Sequence, residues 1–160
     1  MTIPADFADE CLFTQDVWYF HDVLEIDREA QRVEVLVDTT QLGLMVEAQR
    51  PFPGHGPHLP GAVVIQISAV LGSLLATYVL DMRATDGWVG FGTHIHKARF
   101  PSMGLIGPPV RASIQKLESK VWNGTHLIRY KFRYLQEDRL VYSAEHSAAW
   151  MQTEHRGPLR

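Results

Sequence analysis

At 160 residues the chain can bury one real core and leaves little room for two domains. Its 46% apolar and 21% charged residues are an ordinary globular balance. A net charge of −3 with scattered Lys and Arg excludes a basic nucleic-acid footprint, and the single cysteine, Cys11, excludes an internal disulfide or a cysteine metal cluster.

Residues 1–15 read as a short leading segment, with neither the basic region nor the apolar run of a secretory signal. Cys11 follows Asp9 and Glu10, a poor setting for a thiolate, and a lone thiol fits a reducing, cytoplasmic setting. VWYFHDVLEI (17–26) is rich in β-formers, and RVEVLVDT (32–39) alternates, with Val33, Val35 and Val37 on one face. The two predict an antiparallel pair. GLMVEA (43–48) reads as a further short strand.

RPFPGHGPHLPGAVVIQ (50–66) then places four prolines and three glycines in its first twelve residues, with His55 and His58 between them. Pro60 suits the first position of a helix, where its missing N–H costs nothing. The helix is predicted over about 61–81, apolar on nearly every side and therefore buried on every side. AVVIQISAVLGSLLATYVL (62–80) is uncharged over a length near that of a membrane span. Gln66, Ser68, Ser73 and Thr77 dilute it, and Asp81 rather than a positive flank follows, so a core helix is predicted. Gly72 in its middle predicts close packing against a strand.

Four β-like runs complete the chain: 88–100, 109–119, 125–135 and 139–151. Asn123-Gly124 predicts a two-residue hairpin turn, and Gln136-Glu137-Asp138 the next. The expected fold is α+β, a curled antiparallel sheet of about six strands around one long central helix. It forms a single domain over 1–160 with a frayed tail at 153–160. Free sheet edges predict pairing across a dimer. His94 and His96 share a strand face, but without an acidic third ligand the pair predicts no metal site.

The order and spacing of these pieces resemble the hot-dog fold, and within it the bacterial 3-hydroxyacyl-acyl-carrier-protein dehydratases. VLEID (23–27), FPGHGPHLPG (52–61), KARF (97–100) with Gly107, Pro108 and Val110, and DRLVYSAEHSAAWM (138–151) carry the resemblance, which covers about 17–151. In that family a histidine before F-P-G removes a proton beside the thioester carbonyl, and an acid on the helix protonates the leaving hydroxyl. This chain has Pro51 and Gln66 at those positions, and neither is a proton carrier near neutral pH.

The resemblance therefore implies acyl-thioester chemistry with a rewired site, in fatty-acid or polyketide-type metabolism. The N–H groups at Gly61 and Ala62 would polarise the carbonyl. His58, or His55, would replace the lost base, and Gln66 would orient water or the thioester. His94 and His96 would line the acyl channel. No cofactor is implied, because the substrate rides on acyl carrier protein or coenzyme A. The partner would be a second hot-dog subunit, in a homodimer or a heterodimer, with no nucleic acid and no membrane. The reaction stays open between dehydration or hydration, addition to an enoyl thioester, and hydrolysis. The alternative is a non-catalytic acyl-binding subunit paired with an active dehydratase.

Overall fold

The computed structural model describes residues 2–50 and 52–153. Pro51 and residues 154–160 of the expected frayed tail lie outside them. Thr153, also assigned to that tail, is tied down: its N–H donates to the Gly87 carbonyl at 2.9 Å.

A short helix α1 (Phe7–Glu10) leads into β1 (Phe20–Asp27) and β2 (Arg32–Val37). A second short helix α2 (Leu44–Glu47) precedes the long α3 (Gly61–Val79). Four strands follow: β3 (Trp88–Arg99), β4 (Val110–Trp122), β5 (Thr125–Gln136) and β6 (Arg139–Gln152). They form one antiparallel sheet in the order β1-β2-β4-β5-β6-β3, with β3 and β1 at its edges. This is the expected α+β design. Val33, Val35 and Val37 are fully buried, as the alternation of β2 requires.

Helix α3 is the core element. Val64, Ile67, Val70, Leu71, Leu74 and Leu75 are buried in one cluster with Val33, Ile114 and Phe132. Each such side chain contributes roughly 1.5–3 kcal/mol by leaving water. The helix is long and apolar enough to cross a membrane, yet 67% of its most apolar window is buried inside the protein. Its apolar character is that of a core helix.

Three expectations are corrected. Residues 43–48 are not a strand: the Val46 N–H donates to the Gly43 carbonyl, and the segment coils into α2. The long helix forms as expected over about 61–81, ending at Val79 where Asp81 turns into the left-handed region (φ 55°). There the Met82 N–H reaches back to the Ala76 carbonyl, closing the helix end. The helix is also not covered on every side, since Ala62, Ile65 and Ala69 form an open stripe. Nor does Gly72 touch a strand: a Cβ there would meet nothing within 4 Å. It faces a cavity instead.

Both predicted turns form. Asn123 (φ 49°) and Gly124 (φ 75°) take the left-handed pair that a type I′ hairpin needs. Glu137 (φ 49°) and Asp138 (φ 62°) do the same without glycine.

Two glutamine amides fix the loops at the start of α3. Gln49 Nε2 donates to the His58 carbonyl (2.7 Å), and the His58 N–H donates to Gln49 Oε1 (3.0 Å). Gln136, fully buried, accepts from the Leu105 N–H (2.8 Å) and donates to the carbonyls of Leu105 (2.8 Å) and Pro108 (2.7 Å). Each amide acts as a spare peptide unit where the local backbone has no strand partner. The loops meet where the Leu59 N–H donates to the Gly104 carbonyl at 2.9 Å.

Two stability measurements follow. Gly72→Ala removes a helix-interior glycine into open space and is expected to raise unfolding stability by about 1 kcal/mol in chemical denaturation. Gln136→Ala strands buried backbone groups and is expected to cost about 3 kcal/mol by the same measurement.

Candidate functional site

The open stripe of α3 forms one wall of a cavity of about 460 Å³. Ser68, Ala69, Gly72 and Ser73 line it from the helix. These small side chains leave the volume that larger ones would fill. The facing wall comes from Phe91, Ile95, Phe132 and Trp150. From Ile65 to Ser73 the helix wall is about 12 Å long, at 1.5 Å rise per residue. Strand β3 runs antiparallel to the helix, since Phe100 at its far end covers Gly61 at the helix start. The cavity is therefore an elongated apolar groove.

The leading segment closes one side of it. Phe7 is fully buried, and Glu10 accepts from Arg83 Nη1 (3.1 Å), the Thr85 N–H (3.2 Å) and the Thr85 hydroxyl (2.7 Å). That anchor places Leu12 and Phe13 on the cavity rim. Residues 1–15, read from sequence as a lead-in, thus contribute to the site.

A polar pair stands on the apolar wall. His146 lines the cavity, and its Nε2 is hydrogen-bonded to the Tyr142 hydroxyl at 2.9 Å. The bond joins residues four apart on β6, whose side chains share a face. Burial, and secondarily the nearby His96, holds the His146 pKa below the usual histidine value. Its imidazole is thereby kept neutral, the form that accepts a proton. Burial pushes the Tyr142 hydroxyl up to about 12, so it stays protonated. Deeper in the core, Ser68 Oγ donates to the Val64 carbonyl (2.9 Å) and is bonded to the Tyr134 hydroxyl (2.8 Å).

The sequence-predicted residues fall into three places. His58 and Gly61 share a cleft of about 370 Å³ with Phe100 and Met103. Among the described residues His58 Nδ1 is buried with no hydrogen-bond partner. His55 is exposed on the loop, its ring 5.1 Å from that of His58. Ala62 and Gln66 lie on a second cleft of about 350 Å³ with Tyr19 and Met45. Gln66 Nε2 is likewise buried without a partner. His94 lines the main cavity, and its ring stacks on that of His96 at 5.6 Å. His96 Nε2 is bonded to the Ser147 hydroxyl at 2.6 Å.

The Phe100 ring joins the helix-end cleft to the polar pair: it lies against Gly61 and packs on Tyr142 with ring centroids 4.9 Å apart. The sequence reading missed His146 as a site residue. The available signal was a Tyr and a His two periods apart within YSAEH, on one strand face.

No protein-family model and no curated protein sequence matches the chain. Solved structures do. A thioesterase from Haemophilus influenzae superposes with a TM-score of 0.65 at 14% identity, covering 98% of this chain and 97% of that one. A thioesterase variant from Pseudomonas aeruginosa gives 0.60 at 16% identity, covering 86% and 85%. A thioesterase variant from Staphylococcus aureus gives 0.55 at 14% identity, covering 81% and 92%. With one curled antiparallel sheet around one long helix, the chain has the hot-dog fold.

Proposed function

We propose that the protein hydrolyses acyl thioesters, with the acyl chain lying in the groove beside α3. The observation that carries this reading is a hydrogen-bonded, neutral His146–Tyr142 pair on the wall of an elongated apolar cavity. An apolar cavity suits an alkyl chain. A neutral imidazole there suits deprotonation of water. The structural neighbours named as thioesterases support the same reaction class.

In this mechanism His146 donates its Nε2–H to the Tyr142 oxygen and keeps a lone pair on Nδ1. Nδ1 takes a proton from water as the water oxygen attacks the thioester carbonyl carbon. The C–S bond breaks, and the imidazolium returns the proton to the departing thiolate. The products are a carboxylic acid and a free thiol. The N-terminal end of α3, whose Gly61 and Ala62 lie on neighbouring clefts rather than in the groove itself, directs its positive dipole end toward that side of the site. Gln66, with an unpaired buried amide nitrogen, offers a further donor beside that end.

The dehydratase reading fits less well. Gln66 does not titrate, so it cannot protonate a leaving hydroxyl as the family's acid does. Hydrolysis needs no second acid, only a positioned water and a polarised carbonyl. The carrier is coenzyme A or acyl carrier protein, and no cofactor enters the chemistry. A second copy of the chain would pair with β3, which is an edge strand of the sheet.

A second reading places the base at His58, whose buried Nδ1 has no partner in the cleft that it shares with Gly61. Variants separate the two. With His146 as base, His146→Ala is expected to lower kcat about 100-fold or more, while His58→Ala leaves kcat within about threefold; the reverse pattern moves the chemistry to the helix-end cleft. Tyr142→Phe, which removes the group orienting the imidazole, is expected to lower kcat less than His146→Ala does.

The pH profile gives an independent check. Protonated His146 has no lone pair, so kcat/KM falls as pH drops through its pKa. Because that pKa is depressed, the acid limb is expected to have its midpoint below 6.5. In His146→Ala that limb is expected to vanish. A limb that persists unchanged in the variant excludes His146 as the base.

A further inference from the structure

We propose that Trp150 is the end stop of the groove and sets the longest acyl chain that the protein accepts. This rests on the reading that the cavity holds an acyl chain.

A second cavity of about 140 Å³ lies beyond the main one, walled elsewhere by Cys11, Met82 and Trp88. Leu12, Ser73, Gly90 and Trp150 line both cavities and so form the partition between them. Of these four, Trp150 is the one bulky buried side chain. Leu12 is 83% exposed, Ser73 is small and Gly90 has no side chain. The partition stands at the Ser73 and Gly90 end of the groove. His146, Ile65 and Ile95 lie toward the other end, near the start of α3. An acyl chain whose carbonyl is near His146 therefore points its methyl end at the indole.

Trp150 is also held from two sides, which makes it a stop rather than a swinging side chain. Its Nε1–H donates to the Tyr130 hydroxyl at 2.9 Å, and Tyr130 is itself buried. Its ring lies flat on the β3 backbone at Gly90, where a Cβ would come within 2.5 Å of two ring carbons. Glycine at this position is what lets the indole sit there. With the hydrogen bond on one side and the strand on the other, the ring has little freedom to give way to a longer chain.

The test is calorimetric titration of the full chain with straight-chain fatty acids from butanoate to hexadecanoate. Affinity is expected to rise about fourfold for each methylene that fits, the fold-change equivalent to ~0.8 kcal/mol, and then to stop rising at a limiting length. Trp150→Ala opens the partition, and the limit is expected to move to longer chains. Ser73→Leu fills the same end from the helix, and the limit is expected to move to shorter ones. Removing a buried indole costs stability, so Trp150→Leu is measured beside Trp150→Ala, with circular dichroism to select the folded variants. An unchanged limit in a folded Trp150 variant overturns the proposal. Absence of binding at every length overturns both the proposal and the acyl-chain reading of the cavity. Acyl-coenzyme A hydrolysis is assayed in parallel. A limit that moves without hydrolysis leaves the end stop standing and removes the hydrolase reading; hydrolysis with an unmoved limit does the opposite.

Discussion

A helix of 19 residues without a charged side chain has to be taken out of water, and the rest of the structure follows from how that is done. No flat sheet can cover such a helix. Six antiparallel strands curl around it instead, with β2, β4 and β5 supplying central positions and β3 returning along the helix as an edge. The coverage stops one stripe short. Along Ala62, Ile65 and Ala69 the helix has small or modest side chains and no strand against it. The groove exists because the helix face that looks into it is built from Ser68, Ala69, Gly72 and Ser73.

Several polar groups in this apolar interior have partners close at hand. Ser68 returns its hydroxyl to its own helix, Gln136 stitches a loop, and Glu10 is answered by Arg83 and Thr85. His146 is the exception of interest. Its single bond to Tyr142 uses one ring nitrogen, while burial disfavours the charged ring. A histidine kept neutral by its surroundings beside an apolar groove is chemically poised in a way that His55, exposed on its loop, is not.

Much of the architecture was legible in the sequence, for physical reasons that can be named. The alternating valines of β2, the Asn123-Gly124 turn and the unbroken apolar run of α3 are local signals that tertiary context does not reverse. Residues 43–48 misled because three apolar residues after a glycine, Leu44, Met45 and Val46, suit a single helical turn as well as a strand. Gly72 was read as a packing contact, yet its lack of a side chain opens space. The loop histidines attracted attention because prolines and glycines surround them. His146 was obscured in an ordinary alternating strand, where only the curl of the sheet shows which face lines the groove. The helix-end residues Gly61 and Ala62 were placed correctly at the start of α3 by the sequence, but not their division between two separate clefts.

The central claim is that the hot-dog fold here carries thioester hydrolysis. It is tested most directly by incubating the purified chain with saturated, enoyl and 3-hydroxyacyl coenzyme A thioesters, while following free thiol release and identifying products by mass spectrometry. The account predicts free thiol and the corresponding carboxylic acid from the saturated thioesters. Loss or addition of water with the thioester intact, or no turnover of any of the three, would contradict it.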